Sequence, residues 1–133
     1  MALKRLTPNL YTDDVESCVN FWVDRLHFEK TVEVPGDGGR LVFAALQKGD
    51  FELMYGTYAS LEKDINAGSY RRGTSFLFIE VDDLDSVQDA MQGAPMVLPV
   101  HKTFYGASEF TIKDPAGHLI TFAQFGPPPE PRA

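Results

Sequence analysis

One pattern occurs twice in this 133-residue chain, 69 residues apart, and a duplication restricts the possible folds more than any single motif does. Tyr11-Thr12-Asp13-Asp14-Val15-Glu16-Ser17 lines up with Glu80-Val81-Asp82-Asp83-Leu84-Asp85-Ser86. The same offset sets Leu41 on Phe110, Phe43 on Ile112, Phe51 on Ile120 and Leu53 on Phe122, so the order of apolar positions persists without a gap. The two copies cover about 4–60 and 73–126, with 57–72 as the link between them.

Each copy begins with a short strand, 6–12 or 75–81, and enters a helix through Asp-Asp. A carboxylate there accepts from the free backbone N–H groups and favours the positive end of the helix. Val15, Cys18, Val19, Trp22 and Leu26 recur at helical spacing in the first copy, and Leu84, Val87 and Met91 do so in the second. Three strand-like runs follow each helix, 28–34, 40–47 and 51–56, then 95–100, 108–113 and 118–125. Turns rich in Pro, Gly and Asp separate them, among them Pro35-Gly36-Asp37-Gly38-Gly39 and Asp114-Pro115-Ala116-Gly117. Each copy is therefore predicted to be βαβββ. The whole is a single α+β domain in which two modules form a cupped mixed sheet with helices outside. Residues 127–133 read as a stiff, Pro-rich tail.

Alternate side chains of a strand point to opposite faces. In 51–55 one face is Phe51, Leu53 and Tyr55, and the other is Glu52 and Met54. In 75–81, Leu77, Ile79 and Val81 belong under the helix and Phe76 and Phe78 opposite; in 119–125, Thr121 and Ala123 face away from Ile120 and Phe122. By the repeat, Thr7 and Asn9 join Phe76 and Phe78. The inner face of the cup would then collect Thr7, Asn9, Glu52, Met54, Phe76, Phe78, Thr121 and Ala123. A mostly apolar, aromatic face with few polar groups suits either a small-molecule pocket or a second core.

Twelve basic residues against nineteen acidic leave a net charge of −7, which argues against a nucleic-acid partner. An acidic surface attracts a cationic ligand or serves solubility. No run of about eighteen apolar residues exists to span a membrane, and Met1–Pro8 lacks the apolar stretch of a signal peptide, so a cytoplasmic location is expected. Cys18 is the only cysteine, which excludes an internal disulfide and a Cys-rich zinc site. Its place on the apolar stripe gives it the role of a small hydrophobe. His27 falls at the end of the first helix as a cap with positive φ. His118 follows a turn and reads as a solvated rim residue, while His101 lies in a loop that reaches the mouth of the cup. The glycines at 36–39 lack the following helix and lysine of a phosphate loop.

Three segments in order carry a family likeness: Phe21-Trp22-Val23-Asp24-Arg25-Leu26-His27-Phe28, Tyr105-Gly106-Ala107-Ser108-Glu109-Phe110 and Asp114-Pro115-Ala116-Gly117-His118. On the duplicated βαβββ pattern they resemble the vicinal oxygen chelate superfamily, which includes glyoxalases, bleomycin resistance proteins and dioxygenases. The likeness covers 5–125 and is nearest to the bleomycin-resistance branch. It implies paired modules around a cupped sheet, commonly in a homodimer. Enzymes of the superfamily hold a divalent metal at equivalent strand positions, which here are Thr7, Glu52, Phe76 and Thr121. Only Glu52 is a good ligand type, and a catalytic metal wants about three protein ligands. The resemblance therefore implies a metal-independent protein that sequesters an aromatic or cationic molecule, with Tyr105 at the pocket edge and no catalytic group assigned. Glu52 remains open as a general base, a cation anchor or a polar residue tied to Asn9 and Thr121. The alternative is a metal-dependent lyase, isomerase, dioxygenase or thiol transferase with an atypical site. A third possibility is a domain with a filled inner face that serves in an assembly.

Overall fold

Asp14 and Asp83 start equivalent helices in the computed structural model, which describes residues 1–126. Each carboxylate accepts the backbone N–H of the serine three residues on, Ser17 or Ser86, at 3.2 Å, and each also takes that serine's hydroxyl. Helix α1 (Val15–Leu26) and helix α3 (Leu84–Ala90) follow. α1 ends at His27, a cap in the left-handed region at φ 60°.

The chain forms two compact units that divide between Gly73 and Thr74. In the first, β1 (Asn9–Thr12), β2 (Glu29–Pro35), β3 (Leu41–Lys48) and β4 (Phe51–Thr57) make a sheet of order β1-β4-β3-β2. In the second, β5 (Phe76–Glu80), β6 (Met96–Lys102), β7 (Ala107–Lys113) and β8 (Leu119–Phe125) make a sheet of order β5-β8-β7-β6. β1 pairs with β4 and β5 with β8 in parallel, and every other pairing is antiparallel, so both sheets are mixed. Each unit is βαβββ. β1 starts later than residue 6 because Pro8 has no N–H to give, although its carbonyl still accepts from the Met54 N–H at 2.9 Å.

One face of each sheet is closed by its helix. Leu10, Ala44, Leu46, Leu53 and Tyr55 are buried, as are Val15, Cys18, Val19 and Trp22 of α1. Inside this core the Trp22 indole Nε1–H donates to the Tyr55 hydroxyl at 2.7 Å. In the second unit Phe110, Ile112, Ile120 and Phe122 are buried together with Leu84 and Met91. Parity sets the face but not the exposure: Ala45, Glu109, Thr111 and Ala123 on the opposite faces are buried as well, and Phe51, on the same face as Leu53 and Tyr55, is exposed at the rim.

The gap-free offset does not hold through the last two strands of each unit. Lys48 and Phe51 close a two-residue hairpin, whereas Lys113 and Leu119 close a five-residue one, 114–118. Relative to the first strands, Leu10 stands beside Tyr55 but Ile79 stands beside Phe122, so Tyr55, not Leu53, is the counterpart of Phe122. β4 and β8 are thus slipped by two residues, which preserves the face each side chain takes, whereas β3 and β7 are slipped by three: Ala44, not Leu41, matches Phe110, so the expected superposition of Leu41 on Phe110 and Phe43 on Ile112 joins opposite faces.

Residues 57–72 hold more than a link. Thr57 ends β4 and caps a short helix, α2 (Tyr58–Asp64), too brief to leave a periodic signal in the sequence. Tyr58 and Tyr70 stack at 6.3 Å, the Arg72 guanidinium lies 4.3 Å over the Tyr58 ring, and Arg72 pairs with Asp13 at 3.3 Å. Of the four edge strands, β2 and β6 are exposed along their whole length, and both break register, β2 between Lys30 and Val32 and again between Val34 and Pro35, β6 on both sides of Leu98, the second break spanning Pro99. Among the described residues no helix is long and apolar enough to cross a membrane. The Pro-rich tail at 127–133 lies outside the described residues.

Candidate functional site

The faces turned away from the helices carry the residues singled out by alternation. In the first unit Thr7 donates its hydroxyl to Glu52 Oε1 at 2.9 Å, and Arg5 Nη1 donates to Oε2 at 3.1 Å. Both oxygens of Glu52 are therefore engaged. Asn9 is not tied to Glu52; its Nδ2 donates to the Tyr11 hydroxyl at 3.1 Å. Met54 stands half-buried between Asn9 on β1 and Ala45 on β3.

In the second unit Phe76 and Phe78 are 74% and 54% exposed on edge strand β5. Thr121 pairs its hydroxyl with that of Thr111 at 2.7 Å. Phe78 stands beside Thr121, and Phe76 beside Leu119, so Phe76 and Thr121 are not the neighbours that Thr7 and Glu52 are. Ala123 is fully buried and sits opposite Glu109. Tyr105 leads into Gly106, whose φ of 87° lets the β6–β7 turn close. Its hydroxyl donates to Glu109 Oε2 at 2.5 Å. That hydrogen bond, with partial desolvation and the carboxylate charge behind it, pushes the Tyr105 phenol above the usual tyrosine range.

Further residues on this face went unassigned in the sequence. Phe125 continues the parity of Thr121 and Ala123, and its ring lies 6.0 Å from Tyr105 and 6.2 Å from Phe78. Phe104 meets Tyr105 edge-on at 5.1 Å. Phe104, Tyr105, Phe125 and Phe78 thus form a continuous exposed aromatic row. Glu109 and Thr111 alternate with the buried Phe110 and Ile112 and share the same face as the row.

The histidines divide. His101 belongs to β6, not to a loop, and stands opposite Glu109, with Nε2 3.8 Å from its carboxylate. His118 is no rim residue: it is 2% exposed, and its Nδ1 accepts the Ser75 N–H at 2.9 Å. The Asp114 carboxylate builds that turn by accepting the N–H groups of Ala116 and His118.

A divalent metal does not fit the positions where related enzymes would hold one. Thr7, Phe76 and Thr121 offer no ionic donor, and Glu52 is already matched by Arg5 and Thr7. Among the described residues no group of three or more His, Cys, Asp or Glu stands together to hold an ion.

Two βαβββ units, each with a mixed sheet covered on one face by a helix, define a class of duplicated small-molecule-binding folds. The family model of the Glyoxalase/Bleomycin resistance protein/Dioxygenase superfamily matches residues 3–122, and the chain belongs to that superfamily. An uncharacterized protein of Mycobacterium bovis is 29% identical over 130 residues, covering 90% of this chain and 82% of the relative. Among solved structures the chain is similar to TioX from Micromonospora sp. ML1, at 21% identity and TM-score 0.72, covering 92% of this chain and 99% of that one. It is also similar to a lactoylglutathione lyase from Agrobacterium tumefaciens, at 20% identity and TM-score 0.73, covering 91% and 92%. Likeness at these identities establishes the fold.

Proposed function

We propose that this chain binds a small aromatic or cationic molecule without covalent chemistry and without a metal, as the bleomycin-resistance branch of the superfamily would. The observation that carries the reading is the exposed aromatic row Phe104, Tyr105, Phe125 and Phe78 on the sheet face left open by α3. Rings held at the surface by a rigid sheet stack on planar ligands and attract cations. The absence of a fitting donor set at Thr7, Glu52, Phe76 and Thr121 supports the same reading against a metal-dependent reaction. Membership of the superfamily also carries the expectation of a homodimer, which sedimentation of the purified protein decides.

The test is calorimetric titration with acridine orange, a planar cation, before and after EDTA treatment, with metal content measured on the same sample. Binding that survives EDTA and weakens several-fold in Phe78→Ala or Phe76→Ala is the expected result. Near-stoichiometric zinc, nickel, manganese or iron, with binding abolished by EDTA, overturns it.

A further inference from the structure

We infer that the Glu109 carboxylate is the subsite for an organic ammonium group, with the rings of Tyr105 and Phe125 as its wall. This rests on the binding reading above and says which atom of the chain meets the ligand's charge.

Glu109 is only 8% exposed, on the face of β7 opposite Ala123. A carboxylate so covered is normally matched by lysine or arginine. Here its partners are a neutral phenol, Tyr105, on Oε2 and His101 Nε2 at 3.8 Å from Oε1, beyond hydrogen-bonding distance. The other ring nitrogen of His101 is turned to the Pro99 carbonyl at 2.9 Å. Among the described residues no lysine or arginine nitrogen comes within 4.0 Å of Glu109. Among these residues Oε1 thus meets no lysine, no arginine and no nitrogen within hydrogen-bonding distance, in a carboxylate whose other oxygen is held by Tyr105, a ring 6.0 Å from that of Phe125. Both features select a positive, weakly hydrated group.

Glu52 lacks that property, because Arg5 neutralises it within the chain. The long-range field points the same way: residues 74–133 contain three basic and eight acidic side chains, so most of the net negative charge lies in the half that carries Glu109. Opposite Glu109 the side chain is the single methyl of Ala123, which places no bulk across the sheet from the carboxylate.

The probes are benzyltrimethylammonium and its neutral isostere neopentylbenzene, titrated into the full chain and followed by backbone amide shifts. Wild type should bind the cation roughly tenfold tighter than the isostere, and Glu109→Gln should remove that preference while leaving the neutral probe within about twofold. Tyr105→Phe keeps the ring and frees Oε2, so its affinity for the cation should equal or exceed that of wild type. If the neutral probe binds as well as the cation, or Glu109→Gln retains the preference, the assignment of Glu109 falls while the binding reading stands. If neither probe binds wild type, both fall. Should Glu109→Gln fail to fold, the wild-type preference and Tyr105→Phe still decide.

Discussion

At the scale of single residues, two phenylalanines on the second sheet separate binding from folding. Phe122 is 1% exposed under α3, whereas Phe76 stands in solvent on the other face of the same sheet. Phe122→Ala empties a packed site and should cost about 3–5 kcal/mol in denaturant unfolding. Phe76→Ala should change stability by less than about 0.5 kcal/mol. Equal costs would refute the assignment of faces. That assignment was legible in the sequence because alternation along a strand does not depend on what the strand pairs with. Glu109 and Phe125 were legible by the same rule, one step further along strands already placed at 108–113 and 118–125. The burial of His118 was not, since it depends on a backbone N–H 43 residues away, at Ser75. Nor was the Arg5 contact that neutralises Glu52, which crosses 47 residues.

At the scale of elements, the paired helix starts are the clearest case of sequence writing local structure. Asp-Asp followed by serine specifies a cap, and both copies make it with the same bonds. Asp14→Ala should destabilise by about 0.5–2 kcal/mol. The hydroxyl and N–H of Ser17 hold the Asp14 carboxyl below the ordinary aspartate range. Its contribution is therefore complete above the unfolded value of about 3.9 and is lost as pH falls through the lower folded-state value. The gap in unfolding midpoint between wild type and Asp14→Ala should close on acidification; a gap that stays constant to the lowest pH would contradict the cap. What could not be read at this scale was register. Between the units the last strands are displaced by two residues and the third strands by three; a displacement of two leaves no trace in an apolar pattern of period two, and the displacement of three is hidden because β3 is apolar at every position from Leu41 to Leu46.

At the scale of the molecule, the net charge of −7 becomes a kinetic quantity. Association with acridine orange should slow as ionic strength rises from about 0.01 M to 0.15 M, because the screening length falls from about 30 Å to 8 Å. Stopped-flow rates that ignore salt would show that the acidic surface serves solubility alone. The exposed border of each sheet carries a different consequence. A bare outer strand invites a foreign strand to extend the sheet, which is how soluble chains begin to form fibres. In β6 the apolar run Met96-Val97-Leu98 is cut short by Pro99, which lacks a donor, and the irregular register on either side bends the ladder away from straight. Pro99→Val would restore that donor and lengthen the β-branched run, so a concentrated solution of the variant should turn thioflavin-positive on standing while the parent stays clear.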